Sequence, residues 1–449
     1  MLQFRSIFVA ILLVLPSLCC NSTSSAGADA SSVADAGTVP WPNTAHTVLT
    51  KPSGVTGNYL ETFGKYTAVA LDENGDAGVA WVWADENADG TLDDTNVYFS
   101  AWDPVAKVFP TAIQVGTIGA PNGGPQGPIA LSYDASEKAW ILVHQVAVVH
   151  ASSRTGLQLA VSKDRGATWT SQLLTDGQDP KTQTQYDSTS WPSVVARGGK
   201  VHVAWYQNYA GYFYAEGTVG SDPSAWQRVP APWLTLEAGV KPGPAGVNTR
   251  LGLALDANDQ AALAYWTTTA NEKDLRLTYW RPGSATSSLI ATSQDANATR
   301  EVYLGFAGTQ PRVLFAGLLA PLAGNVSTYW ATHSTDGVKW DVPSNLPLET
   351  GAAPGLAFFA AVSAKGTGVG TYASNGGNGT DKCGRLKTST SSDFTAWSTC
   401  GPDTTNAYKL KPVATSLSLA LDGSDHLSLV FTNLNGANGA PVGVVIWRL

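Results

Sequence analysis

Charge is scarce in this chain. Asp, Glu, Lys and Arg make up 14% of its 449 residues, and acidic side chains outnumber basic ones, 35 to 27. A net charge of −8 argues against a surface built to hold nucleic acid. There are only four cysteines, Cys19, Cys20, Cys383 and Cys400, so the body of the protein has at most one bridge of its own. The one continuous apolar run, residues 7–15 (IFVAILLVL), is too short to remain as a spanning helix. No Ser/His/Asp nucleophile motif and no phosphate-cradling glycine loop is present. What is plentiful is glycine, at 45, and tryptophan, at 16. That is the profile of a secreted, turn-rich β protein.

The length would suit two or three average domains, but a repeat argues for one. Seven times an apolar strand, a tight turn and a second apolar strand follow one another, at residues 66–83, 128–144, 192–206, 250–266, 302–317, 356–372 and 416–431. The turns are made of Asp, Asn, Gly and Lys, as hairpins require. Asp72, Asp134, Asp256 and Asp422 mark the spacing, with intervals of 62, 122 and 166 residues, or one, two and three periods near sixty. Four short strands per period is the pattern of a β-propeller.

A second element follows these hairpins. Its best copy is Ser162-Lys163-Asp164-Arg165-Gly166-Ala167-Thr168-Trp169, or S-x-D-x-G-x-T-W. Near-copies begin at Ser334 (with Asp336, Gly337 and Trp340), at Ser391 (with Asp393 and Trp397) and at Ser221 (with Asp222 and Trp226). Asp collects backbone N–H groups, Gly takes a conformation other residues resist, and the Trp packs its ring under the turn. These are scaffold roles. The octet resembles the Asp box of the bacterial neuraminidase repeat in the sialidase superfamily, where it joins the third and fourth strands of a propeller blade. The resemblance covers most of residues 66–449. It implies an all-β propeller; the repeats count seven four-stranded blades, with six, the number in the sialidase enzymes, as the alternative.

The ends complete this plan. Residues 1–20 read as a secretion signal, with Arg5 ahead of the apolar run. Residues 21–40 form a Ser/Ala/Gly-rich tether, and residues 41–449 the single propeller domain. A cysteine directly after the apolar core resembles a bacterial lipoprotein, with Cys19 or Cys20 as the lipid anchor; simple cleavage is the alternative. The expected location is the cell envelope or the exterior. The seventh repeat stops one strand short, so a strand near Trp41 to Leu49 is expected to complete it and close the ring. Cys383 and Cys400 flank the third strand of the sixth repeat, and in an exported protein the default is a disulfide.

Function is expected on the face opposite the octet turns, where the 2–3 loops and the 4–1 crossovers are longer. There, Asp85, Asn87, Asp89 and Asp93 stand at the alternate positions of a calcium-wrapping loop, D-x-N-x-D-G-x-x-D. Position twelve is Asn96 instead of a bidentate Glu, and an acidic solvated turn is the alternative. For sugars, Tyr186, Trp191 and Tyr209 are candidates to stack on rings. The sialidase resemblance further implies three arginines, a Tyr–Glu pair and an Asp. The first strand, residues 66–70, has no arginine where the family places its first. Arg250, Arg300 and Arg385 remain, with Glu237, Glu301, Glu349 and Asp187 as carboxylates, none in a recognisable catalytic motif. His144 and His150 lie six apart without a third metal ligand. The leading expectation is therefore a glycan-binding module without catalysis. A glycoside hydrolase with a divergent site and a cell-surface protein scaffold are the alternatives.

Overall fold

A computed structural model describes residues 47–49, 67–86, 92–118, 129–148, 155–177, 189–207, 211–232, 251–268, 275–293, 301–317, 319, 328–346, 358–373, 386–398, 412–433 and 443–448. Strand β1 (Thr47–Leu49) comes first. Sheet 1 follows as β2 (Thr67–Leu71), β3 (Ala77–Glu86), β4 (Leu92–Ala101) and β5 (Ile113–Thr117). Sheet 2 is β6 (Ile129–Asp134), β7 (Ala139–Ala147), β8 (Thr155–Ser162) and β9 (Thr170–Thr175). Sheet 3 is β10 (Thr189–Arg197), β11 (Lys200–Gln207), β12 (Gly211–Thr218) and β13 (Arg228–Pro230). Sheet 4 is β14 (Gly252–Leu255), β15 (Ala261–Thr268), β16 (Leu275–Trp280) and β17 (Ser288–Ser293). Sheet 5 is β18 (Val302–Ala307), β19 (Gln310–Gly317), β20 (Thr328–His333) and β21 (Ser344–Asn345). Sheet 6 shows three strands among the described residues, β22 (Phe358–Val362), β23 (Gly368–Ala373) and β24 (Leu386–Ser391). Sheet 7 is β25 (Pro412–Leu421), β26 (Leu427–Asn433) and β27 (Gly443–Arg448).

Every pair is antiparallel, and each hairpin read from the sequence is a first and second strand of one sheet. The first strands touch in succession, β2 to β6, β10, β14, β18, β22 and β25, and β25 also touches β2. β1 pairs with β27, Thr47 opposite Ile446 and Leu49 opposite Val444. Sheets arrayed this way around their first strands make a β-propeller.

Packing between sheets explains why the second strands read as unbroken apolar runs. In β7, Ala139, Ile141 and Val143 face sheet 3, where they meet Val201, Val203 and Trp205. Trp140 and Leu142 face sheet 1, where they meet Ala80, Val82 and Phe99. A strand buried on both faces has no polar side to show. Each such Leu, Val or Phe contributes about 1.5–3 kcal/mol on burial.

Short polar side chains set the hairpin turns. Asp72 Oδ1 accepts from the amides of Asn74 (2.8 Å) and Asp76 (2.9 Å). Asp256 does the same for Asn258 and Gln260, and Asp422 for Ser424 and His426. Asp134 accepts from Glu137 and also, at 2.8 Å, from Gly199 of sheet 3, so one carboxylate ties two sheets. In sheet 6 the hydroxyl of Ser363 takes this place and accepts from Thr367. These turns and the octet turns lie at one end of the sheets, the turn face; the other end is the loop face.

The octet turn closes as its residues dictate. Ser162 Oγ donates to Asp164 Oδ1 (2.8 Å) and accepts from the Gly166 amide (2.9 Å). Gly166 is left-handed (φ 88°), and Trp169 Nε1 donates to its carbonyl at 3.0 Å. The turn at Ser334 repeats the Ser, Asp and Gly bonds, with Gly337 at φ 73°, but Trp340 Nε1 donates at 3.3 Å to Ser288 Oγ of sheet 4, which donates to the Gly337 carbonyl. The stretch from Ser221 differs from its expected likeness. Ser and Asp are adjacent there, so Asp222 caps a 3-10 turn, Pro223–Ala225, by accepting from Ser224, and Trp226 Nε1 donates to Ser221 Oγ.

Candidate functional site

Two candidate residues stand where first strands begin, at the loop-face end. Trp191 lies in β10, followed by Pro192, which has no N–H for the ladder. The register slips between Ser190 and Ser193, and Trp191 itself is left-handed (φ 53°). A bulky side chain adopts that conformation only when its surroundings fix it, and Trp191 is 8% exposed. Glu301 directly precedes β18, and its carbonyl accepts from the Ala316 amide at 3.0 Å. Its side chain is 5% exposed, a carboxylate drawn almost wholly out of solvent. Sheets 3 and 5 are separated by sheet 4, and both first strands start from the same face.

Beneath the loop face, buried polar side chains pin strand ends. Gln145 Nε2 donates to Thr155 Oγ1 (3.2 Å), and Gln207 Nε2 to the Gly177 carbonyl of sheet 2 (3.1 Å). The Ala147 amide donates to the Ile118 carbonyl at 2.7 Å, joining sheets 2 and 1. Sequence reading passed over these glutamines; the signal available was an amide ending an apolar strand, VHQ at 143–145 and WYQ at 205–207.

His144 is wholly buried in β7. Its Nδ1 lies 2.7 Å from the Gln145 carbonyl and so carries the proton; Nε2 points at Gly116, where an added Cβ would come within 2.8 Å. Burial pushes its pKa down to about 4. It is a neutral core residue. His150, its companion in the metal pair considered above, lies outside the described residues, and among the described residues no group of three or more His, Cys, Asp or Glu side chains could hold a metal.

The octet carboxylates are fixed anions. Asp164 is held down to about 2 by the Thr168 hydroxyl first and its amide second. The amides of Lys339 and Val338 lower Asp336, and the Thr395 amide holds Asp393 well below the usual carboxylate range. Groups so committed cannot exchange protons near neutrality.

Arg250, Arg300, Arg385, Glu237, Glu349, Asp187, Tyr186 and Tyr209 lie outside the described residues, as do Asn87, Asp89 and all four cysteines. Asp85 and Asp93 fall within the β3 and β4 backbones, whose ladder reaches Glu86 opposite Leu92. Residues 87–91, the middle of the expected metal loop, lie outside the described residues.

No family model matches the chain, and no curated protein matches it. Solved structures do resemble it. The GH93 α-L-arabinofuranosidase of Fusarium graminearum, in complex with arabinobiose, is 13% identical, with 90% of this chain and 97% of that one covered and a TM-score of 0.48. The α-L-arabinanase of Penicillium chrysogenum is 13% identical over 89% and 97%, with a TM-score of 0.46. The NanB sialidase of Streptococcus pneumoniae is 13% identical over 90% and 70%, with a TM-score of 0.46.

Proposed function

We propose that the protein is an exported, seven-bladed propeller of the sialidase-like class that binds glycans on its loop face. The observation that carries this is the buried carboxylate of Glu301 at the start of a first strand, on the face where Trp191 is held in a fixed, left-handed bulge. A carboxylate accepts from sugar hydroxyls and the edge of an indole borders a sugar ring, and the two residues start first strands of sheets 3 and 5 on one face. The succession of first-strand contacts from β2 back to β25 and the β1–β27 pairing support a ring of seven, closed by the N-terminal strand.

A glycan array tests this reading, with mass analysis of whatever is retained. The wild type is expected to retain a glycan, and Glu301→Gln to weaken it at least tenfold. An array that retains nothing overturns it and leaves the protein-scaffold alternative. A second reading rests on the same burial: a carboxylate removed from water is what acid–base catalysis uses. Shortened glycans in the mass analysis would establish a hydrolase, with Arg250, Arg300, Glu237 and Asp187 the next residues to replace.

The remaining sequence expectations belong to this proposal: a calcium ion at Asp85, Asn87, Asp89 and Asp93, a Cys383–Cys400 bridge, and a leader that is lipidated at Cys19 or Cys20 or else simply cleaved. Intact mass separates the states of the cysteines and the leader. A melting temperature indifferent to calcium and chelator would remove the metal.

A further inference from the structure

A cavity of about 300 Å³ opens between sheets 1 and 2 on the turn face, opposite the proposed glycan site and independent of it. Its two walls carry opposite charge. The β2–β3 turn of sheet 1 brings Asp72, Glu73 and Asp76, with Glu73 accepting from the Tyr133 hydroxyl; the turns of sheet 2 bring Lys138, Lys163 and Arg165. Lys163 is already paired, 2.8 Å from Glu137. Arg165 and Lys138 make no ion pair among the described residues; Arg165 Nη2 donates only to a neutral acceptor, the Trp102 carbonyl, at 3.0 Å.

Sheets 3 and 4 show such neighbours paired. There Arg197, at the β10–β11 turn, meets Asp259 of the β14–β15 turn at 3.0 Å. Between sheets 1 and 2 the charges stay apart, across a cavity whose spacing is set by Trp140: its ring lies on Gly78 so closely that a Cβ there would sit 2.5 Å away. Arg165 and Lys138 also rise from left-handed residues (φ 61° and 50°), a conformation that glycine fills in the β2–β3 and β22–β23 turns, at Gly75 and Gly366.

We propose that this cavity binds a small zwitterion of amino-acid size. Its ammonium group meets Asp72 and Glu73, its carboxylate meets Arg165 and Lys138, and its body lies against the Tyr133 ring. Charge-assisted hydrogen bonds at both ends give the selectivity, and the volume sits at the small end of ligand pockets.

The test uses the full chain and calorimetric titration with a series of ω-amino acids from glycine to 6-aminohexanoate, with hexanoate and hexylamine as singly charged controls. One chain length is expected to bind at least tenfold more tightly than either control. Glu73→Gln and Lys138→Gly, both at exposed turn positions, are expected to weaken it at least tenfold each while the melting temperature without ligand does not fall, and Lys138→Gly, relieved of its left-handed strain, holds or gains stability. The proposal is overturned if no member of the series binds, if the controls bind equally well, or if neither variant changes the affinity.

Discussion

The octet turn of sheet 2 and its counterpart in sheet 6 solve one packing problem in two ways. In sheet 2 Arg165 and Gly166 are both left-handed, and the space above Gly166 belongs to Phe99 of sheet 1, whose Cε1 would lie 2.3 Å from an added Cβ. Phe99 in turn meets Trp169 edge to face, centroids 5.0 Å apart. Sheet 5 does the same with Gly337, Tyr279 of sheet 4 and Trp340. In sheet 6 the left-handed residue is Phe394 (φ 67°), 2% exposed, and it makes the edge-to-face contact with Trp397 itself, at 5.3 Å. Gly368 makes the room, since a Cβ there would strike both rings. The neighbouring sheet then contributes a cation: the guanidinium of Arg312 lies 5.0 Å from the Phe394 ring and donates to the carbonyls of Gly366 and Ser392. The aromatic pair is needed in every case. What varies is whether it joins two sheets or closes one turn.

The strongest way to break the comparison is to give the glycine turns a Cβ. Gly166→Ala would add left-handed strain to a clash with a buried ring, about 3–4 kcal/mol in all. Gly337→Ala should cost less, because its Cβ would stand 2.7 Å from Tyr279 instead of 2.3 Å from Phe99. Denaturant midpoints at constant slope check this order. Equal, small losses would mean that the rings move aside freely.

A second difference between the two regions is chemical. The contact of sheets 1 and 2 contains His144, whose folded pKa, about 4, lies below the usual 6.5. Between pH 6.5 and 4 the unfolded chain takes up a proton that the folded chain refuses. Stability therefore falls as pH drops through that window and stops falling from this source below 4. The full loss is about 3 kcal/mol. Unfolding followed from pH 7 to 4 should show this slope, and His144→Gln should remove most of it; the rest comes from His202, which burial also lowers. An unchanged slope in the variant would assign the acid sensitivity elsewhere.

Much of the fold was legible because its signals are local. Four of the seven hairpins follow from apolar strands interrupted by Asp72, Asp134, Asp256 and Asp422, whose carboxylates act on amides two to four residues away; glycine or Ser363 turns the other three. The octet is local too, so Asp164 and Gly166 announce its geometry. What escaped reading is contact across sheets. Nothing near Gly166 names Phe99, and nothing near Asp72 names Lys138 or Arg165 as the opposite wall of a cavity. Phe394 stands where the octet has glycine; its place in the core is visible only once Gly368 and Arg312 stand beside it. The candidate site was the least legible part, since catalytic and binding groups come from many loops at once and their spacing in sequence carries no distance. Trp191, a candidate to stack on sugar rings, lies in a strand bulge that its neighbours in sequence do not announce.

The finest test of the comparison sits at residue 394. Removing the ring by Phe394→Ala should cost about 3–5 kcal/mol, the usual price of an emptied aromatic site. In most contexts glycine would be worse than alanine, since it removes one more carbon and loosens the unfolded chain. Here the backbone is left-handed, and alanine keeps the strain that glycine relieves, on the order of 1–2 kcal/mol. Phe394→Gly should therefore be more stable than Phe394→Ala by about 1 kcal/mol after the entropy difference is set against the strain. Measured side by side, the inversion would show that sheet 6 holds the same backbone turn as sheet 5 and has moved the aromatic ring onto it. Alanine matching or exceeding glycine would mean that the turn relaxes once the ring is gone, and that Phe394, through its packing on Trp397, is what imposes the left-handed backbone.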